Sequence, residues 1–299
     1  MSDLLRPDWL DDTGLITAFT MTLSARSNSE NARAQVEALG ARVRDREVLS
    51  DSAWRCAIET TPTMVWQSWK TLQAGLDDVD IWVEPTRYDP FRLLICDMDM
   101  TIVAAETLDE VAASLGLGDE IAEITRRAMH GELDFDAALR ERIAMLAGRD
   151  EQAFLDLVPR LELNPGAEAL IETARRNGVH TILVSGGFSQ VAEPVAERLG
   201  FDEVHCNHLV LENGELTGEV RNPIVNARLK RDLLIKRAAE LEIDLEDCCA
   251  IGDGANDRLM IEAAGLGIAY YAKPVLREAT GCRIERTDLA TAAYFMGLA

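Results

Sequence analysis

Leu93-Leu94-Ile95-Cys96-Asp97-Met98-Asp99-Met100-Thr101 joins four apolar residues to two acids and a threonine. Apolar side chains without alternation describe a strand buried on both faces, as in a parallel sheet covered by helices. Open α/β sheets do their chemistry outside the carboxyl ends of their strands, so Asp97 and Asp99 are aimed where a ligand would sit. Two residues apart in extended backbone, they share a side. Aspartate is also a common turn residue, so the pair alone reads equally well as a solvated turn. The later strands separate these readings.

Two further apolar runs end in polar turns. Thr181–Ser185 leads into Ser185-Gly186-Gly187, and Cys248–Ile251 into Gly252-Asp253-Gly254-Ala255-Asn256-Asp257. Gly267–Tyr271 reads as a fourth strand, and helical segments fall at Ala167–Arg176, Gln190–Leu199, Arg228–Leu241 and Leu259–Ala264. One parallel sheet would bring the three turns to a common edge. Carboxylates crowded there repel unless a cation holds them, and all-oxygen ligation beside phosphate suits Mg²⁺. A carboxylate nucleophile, a metal, a hydroxyl and backbone N–H groups suit phosphoryl transfer. Lys230, near the start of the helix before the third strand, is the lysine such a site needs. The glycines around Asp253 begin like a dinucleotide fingerprint, but the last glycine is missing and acids stand where pyrophosphate would approach.

Between the first two strands, Thr107–Leu115, Asp119–Met129, Phe135–Leu146 and Asp150–Val158 read as short helices, with Asp134 as an N-cap. They would form a helical-bundle cap over about 104–163. Asn213-Gly214 between His208–Leu211 and Glu215–Glu219 signals a hairpin. Upstream, strand Gly14–Leu23, helix Ser29–Leu39, strands Ala41–Leu49 and Ala53–Thr60, helix Thr63–Leu76 and strand Val79–Val83 follow the β-α-β-β-α-β order of a ferredoxin-like α+β unit. The expected organisation is therefore a ferredoxin-like domain over 1–84, a proline-containing linker over 85–90, and an α/β domain over 91–299.

The chain has 299 residues, 47% of them hydrophobic, and a formal net charge of −22. That charge argues against nucleic acid or an anionic membrane as a partner, while a local metal can still invert the field in one cleft. The six cysteines form no C-x-x-C pair, so a zinc site is not expected. The N-terminus shows no signal-peptide pattern and no apolar stretch is long enough to span a bilayer, so the expected location is cytoplasmic.

From about Phe91 onward the chain resembles the haloacid dehalogenase-like (HAD) hydrolases, and among them the phosphoserine phosphatases. The resemblance rests on Asp97-Met98-Asp99-Met100-Thr101, Val184-Ser185-Gly186-Gly187-Phe188 and Ile251-Gly252-Asp253-Gly254-Ala255-Asn256-Asp257, in that order, with Lys230 between the last two. It implies a Rossmann-like parallel sheet core with a helical cap. It implies that Asp97 becomes an aspartyl-phosphate and that Asp99 acts as acid and then base. Mg²⁺ would be held by Asp97, the Asp99 backbone carbonyl and Asp253. Ser185, Gly186, Lys230 and Asn256 would hold the phosphoryl oxygens, Asp257 would orient the metal shell or Lys230, and Thr101 would shape the loop. In the cap, Glu106 would meet the ammonium of O-phosphoserine, Arg142 its carboxylate, and Met129 and Phe135 would wall the site. Arg140 and Arg142 cannot share a helix face, and Arg142 is the one expected inside.

The implied activity is hydrolysis of O-phosphoserine to serine and phosphate, in serine biosynthesis. Rival readings are a phosphatase or phosphotransferase for another small phosphomonoester such as phosphohomoserine, and a non-catalytic amino-acid sensor. The sensor reading would need a missing nucleophile or acid, and Asp97 and Asp99 are both there. The N-terminal region resembles ACT-like amino-acid-binding domains but carries Ser24-Ala25-Arg26-Ser27-Asn28 where those have an Asp/Gly-rich loop, so assembly into a homodimer or a structural role is as open to it as effector binding. Arg258, after Asp257, stands where the family usually has an apolar residue.

Overall fold

The computed structural model describes residues 17–26, 42–87, 89–129 and 132–298. Strands β1 (Thr17–Ala25), β2 (Arg42–Val48), β3 (Ala53–Thr60) and β4 (Val79–Pro85) form an antiparallel sheet in the order β2-β3-β1-β4. Helix α1 (Pro62–Gly75) starts where Thr61 Oγ1 accepts a hydrogen bond from Met64 N at 3.3 Å, with proline in the first turn, where a missing N–H costs nothing. Val65, Trp66, Trp69 and Leu72 recur at helical spacing and pack into one core with Phe19, Met21, Ile58 and Ile81. The Trp69 indole donates to the Ile81 carbonyl at 3.0 Å, so its one polar atom is satisfied inside that core. The helix expected at Ser29–Leu39 lies outside the described residues. β4 continues through Pro85, one residue into the expected linker.

The second sheet starts at β5 (Leu93–Cys96). The chain then builds α2 (Thr107–Ser114), α3 (Gly118–Met129), α4 (Phe135–Ala144) and α5 (Gln152–Leu155). Asp134 caps α4 by accepting from Ala137 N at 2.7 Å. Then follow α6 (Ala167–Arg176), β6 (His180–Phe188), α7 (Ser189–Leu199), β7 (Glu203–Asn207), β8 (Leu209–Glu212) and β9 (Glu215–Val220). The rest is α8 (Ala227–Glu240), β10 (Cys248–Gly252), α9 (Arg258–Ala263), β11 (Leu266–Tyr270), α10 (Pro274–Arg277), β12 (Cys282–Ile284) and α11 (Ala290–Phe295).

Six parallel strands lie in the order β12-β11-β10-β5-β6-β7. Alternate residues feed two cores. Leu94, Cys96, Leu183 and Ile251 join the cluster under α6 and α7, while Leu93, Ile95, Ile182 and Ala250 join the one under α8 and α9. This is why β5 is apolar at every position. Cys96 pairs with Leu183 on one side and Ile251 on the other, so the chain leaves all three strands at one edge.

Two strands were not expected. β7 is polar because it is an edge strand, paired only with β6. β12 is three residues with Arg283 at its centre, too short to show a period, and is placed by pairing to β11. The predicted hairpin forms, with Asn213 at φ 53° and Gly214 at φ 87°, the positive-φ pair that a tight two-residue hairpin turn requires. It joins the cap, through Gly148 N to Leu216 O and Leu216 N to Arg149 O, both 2.8 Å.

The two sheets meet at Asp80 of β4. This fully buried carboxylate accepts from Glu285 N at 3.0 Å, Arg286 N at 3.1 Å, Thr287 N at 2.8 Å and Thr287 Oγ1 at 2.6 Å. Trp82 packs against the larger core. Among the described residues, no helix is long and apolar enough to cross a membrane. Asp80→Ala would strand several buried donors and should lower the unfolding free energy by about 3 kcal/mol in a urea melt. A change below about 0.5 kcal/mol would mean that the 285–287 loop finds other acceptors.

Candidate active site

Asp97 extends the ladder of β5 by one residue, its N–H donating to Ile251 O at 2.9 Å. The backbone then folds back on Met98, whose carbonyl accepts from Ile102 N at 2.8 Å and Val103 N at 3.0 Å. Met100 takes a left-handed φ of 56°. Asn164 secures this strained turn, donating Nδ2 to Met100 O at 3.1 Å, Thr101 O at 2.8 Å and Val103 O at 3.3 Å. Asn164 belongs to the segment that returns the chain from the cap, so the return strengthens the loop that carries the acids. Asp99 Oδ2 accepts from Thr107 Oγ1 at 3.2 Å, and its Oδ1 is buried with no protein partner among the described residues.

Beneath the acids lies Lys230, at 0% exposure. Asn226 caps α8 by accepting from Arg228 N and Leu229 N, both at 3.1 Å, and Lys230 follows in the first turn. Its Nζ donates to Asp97 Oδ1 and to Asp257 Oδ1, each at 2.6 Å. Asp257 Oδ2 in turn accepts from Gly254 N at 3.0 Å and Asp253 N at 3.2 Å. Gly252 is required here, because a Cβ would overlap the Asp257 carboxyl.

The charges set one another. Burial works against the Lys230 ammonium, but Asp257 and Asp97 outweigh it and hold its pKa above the ordinary lysine value. Burial, then the Asp257 charge, push the Asp97 carboxyl well up, while Lys230 pulls it back. Asp99 is pushed up to about 7 by burial and by Glu106, against the Thr107 hydrogen bonds. Asp253 rises to about 6, again through burial first, with Lys273 opposing.

Carboxylate oxygens of Asp97, Asp253 and Asp257 lie within 4.8 Å of one another. An all-oxygen set of buried acids fits a hard divalent cation. Asp257 already spends both oxygens on hydrogen bonds, so Asp97 and Asp253 are the better donors. The Asp99 side chain stands apart from this group, turned to Thr107.

A cavity of about 200 Å³ opens above the acids, lined by Asp97, Asp99, Glu106, Phe135, Arg142, Gly186, Gly187, Asp253, Asn256 and Lys273. Of the expected phosphate-binding set, Gly186 and Asn256 line it. Ser185 and Lys230 are buried behind it, with Ser185 Oγ accepting from Gly187 N at 2.8 Å. Thr101 is fully buried, its carbonyl accepting from Asn164 Nδ2 and its Oγ1 without a partner among the described residues, and it does not line the cavity. Arg142 faces the cavity, and burial lowers its pKa against the pull of Asp109, Glu106 and Asp99. Arg140 instead reaches Asn222 Oδ1 at 2.6 Å, so the two arginines diverge as helix geometry demands. The Met129 side chain lies outside the described residues. Arg258 pairs with Glu262 at 2.6 Å along the exposed side of α9.

Thr107 and Lys273 are additions that sequence reasoning missed. Lys273 Nζ donates to Glu106 Oε1 at 2.9 Å and lies 3.4 Å from Asp253 Oδ2. The signal was available, because Ala272-Lys273-Pro274 follows the strand read at Gly267–Tyr271, whose carboxyl end reaches the same edge as the other three.

Residues 94–262 match the haloacid dehalogenase-like hydrolase family. The chain belongs to that family. A relative of this HAD chain, the phosphoserine phosphatase of Archaeoglobus fulgidus, is 40% identical over 224 residues, covering 74% of this chain and 64% of the relative. The chain thus spans under two thirds of that protein's length. The phosphoserine phosphatase of Lactococcus lactis is 41% identical over 204 residues, covering 68% of this chain and 94% of the relative. The crystal structure of a HAD-family hydrolase from Salmonella enterica serovar Typhi superposes with a TM-score of 0.85 at 28% identity, covering 93% of this chain and 98% of that one.

Lys230→Met should destabilise this HAD core by about 3–5 kcal/mol at pH 7, because two buried carboxylates lose their counter-ion. The Asp97 carboxyl, already pushed up by burial, then rises further in the folded state, so the loss relative to the parent should shrink as pH falls and that acid takes up its proton. Urea melts at several pH values would read this, and a pH-independent loss would contradict it.

Proposed function

We propose that this HAD hydrolase is a Mg²⁺-dependent phosphatase that converts O-phosphoserine to serine and phosphate. The observation that carries the reading is the meeting of Glu106 and Arg142 in one small cavity with Asp97 and Asp99. A phosphorylated amino acid needs an anion and a cation beyond its phosphate site. Glu106 is assigned to the ammonium and Arg142 to the carboxylate, which its planar fork can grip in two places. Phe135 walls the site, and Met129 is assigned to it on the sequence alone. The phosphoserine phosphatases found among the relatives support the same substrate.

In the proposed reaction an Asp97 oxygen attacks phosphorus and the bond to the serine oxygen breaks, while Asp99 gives that oxygen its proton. The Asp99 carboxylate then takes a proton from water as the water oxygen attacks the aspartyl-phosphate, releasing phosphate and restoring Asp97. An acid pushed up to about 7 is suited to both transfers near neutral pH. Gly186 and Asn256, which line the cavity, are assigned to the phosphoryl oxygens, and Ser185 and Lys230, buried behind it, are assigned to them on the sequence alone. Lys230 also opposes the burial that pushes the Asp97 carboxyl up, favouring the charged form that attacks. Asp97 and Asp253 with the Asp99 carbonyl would hold Mg²⁺, which neutralises phosphate charge when bound. Asp257 holds Lys230 and the 252–254 loop in place.

The organisation proposed with this function is an ACT-like, ferredoxin-like unit over 1–84, a linker over 85–90 and the phosphatase domain over 91–299 with its cap at about 104–163. The separate core of the antiparallel sheet supports it. Six free, buried cysteines suit a reducing cytoplasm, where serine biosynthesis would use the enzyme.

Phosphate release from L-phosphoserine, phosphothreonine and p-nitrophenyl phosphate, with and without Mg²⁺, tests the reading. A Mg²⁺-dependent kcat/KM about 10²-fold higher for phosphoserine is expected, and a flat profile would overturn the substrate assignment. Asp97→Asn keeps the shape of the nucleophile without its charge. It should lower kcat on the order of 10⁴-fold with an unchanged circular dichroism spectrum, and retained turnover would refute covalent catalysis.

A further inference from the structure

Among the described residues that line the cavity, Lys273 is the cation that the proposed reaction does not use. Its backbone is fixed. Lys273 N donates to Asp253 O at 2.8 Å, and Tyr271 N to Ile284 O at 2.8 Å. Tyr271 adopts a φ of 40°, a strained value for a residue with a side chain, and its hydroxyl donates to Thr287 O at 3.0 Å. From this anchored loop the lysine side chain crosses the cavity mouth to Glu106, the residue that opens the first cap helix, at 2.9 Å. The side chains of Lys273 and Glu106 are 52% and 47% exposed, so the pair is weak enough to exchange with a ligand.

The cavity is strongly acidic. Asp97, Asp99, Glu106, Asp109 and Asp253 face it, against Arg142 and Lys273. An uncompensated Glu106 would repel any phosphate ester entering there. We infer that Lys273 is a specificity-setting residue that stands in for the substrate's ammonium on Glu106. While the site is empty, or holds an ester without an amine, the lysine neutralises Glu106. When an amino-acid phosphate binds, its ammonium displaces Lys273 from the carboxylate. Lys273 therefore costs the amine-bearing substrate a competitor and spares the amine-free one a repulsion. Both effects narrow the preference between them.

This rests on the phosphoserine reading, and the test separates the two. The probe is the ratio of kcat/KM for O-phosphoserine to that for 3-phosphooxypropionate, the same ester without its amine. Using a ratio cancels any general loss of positive charge near the phosphate. Lys273→Met should raise the ratio by about tenfold or more. Lys273→Arg, which keeps the charge, should stay near the parent. In a Glu106→Gln background, adding Lys273→Met should leave the ratio unchanged, a coupling that a purely structural lysine would not show. A parent enzyme that prefers phosphoserine, with a ratio that Lys273→Met leaves within twofold, overturns this inference alone. Equal losses on both substrates do the same. A parent with no preference for the amine overturns the substrate reading and this inference together.

Discussion

A lysine ammonium with no access to water, gripped by Asp97 on one strand end and Asp257 on the loop after another, is the constraint around which the catalytic half is arranged. Neither sign of charge is tolerable there alone. An unpaired buried ammonium would lose its proton, and two unpaired carboxylates would take one up. The three groups come from positions 133 and 27 residues apart in the chain. Bringing them together requires β5 beside β10 and the first turn of α8 against the sheet edge. The same pairing leaves Asp97 facing the cavity with its charge supported from behind, an arrangement compatible with attack on phosphorus.

The acids above this layer differ in environment rather than type. Asp99 sits beside Glu106 and under Thr107, and Asp253 is partnered from outside by Lys273. Two of these influences come from the first cap helix. The cap thus contributes to the electrostatics of the sheet edge as well as enclosing it. That makes the cap's docking, through the Asn164 clamp and the hairpin at Asn213-Gly214, part of the chemistry of the site.

The N-terminal sheet is tied to the same edge. Asp80 organises residues 285–287, and Arg26 donates to the Tyr271 hydroxyl at 3.0 Å. Tyr271 lies two residues before Lys273. The antiparallel sheet is thus tied by a hydrogen bond to the loop that carries Lys273.

Much of this was legible in the residue order. Unbroken apolar runs ending in Asp97, Ser185 and Gly252-Asp253 specify buried parallel strands with polar ends, because only a strand covered on both faces can be apolar at every position. The helix pattern of the cap, the Asp134 cap and the Asn213-Gly214 turn follow from local backbone chemistry, which the sequence carries within a few residues. What sequence alone could not decide depends on partners distant in the chain. β7 and β12 are strands only because β6 and β11 pair with them. Arg142 rather than Arg140 faces the cavity, as the helix period allowed, but only packing shows where the other one goes. Lys273 meets Glu106 across 167 residues, and Asp80 finds its donors across more than 200. Such contacts arise from the closing of two sheets on each other, and the pKa values near 7 and 6 at Asp99 and Asp253 arise from the burial that this closing brings. The sequence by itself determined which groups are available for chemistry, and the tertiary structure decided which of them share a low-dielectric space.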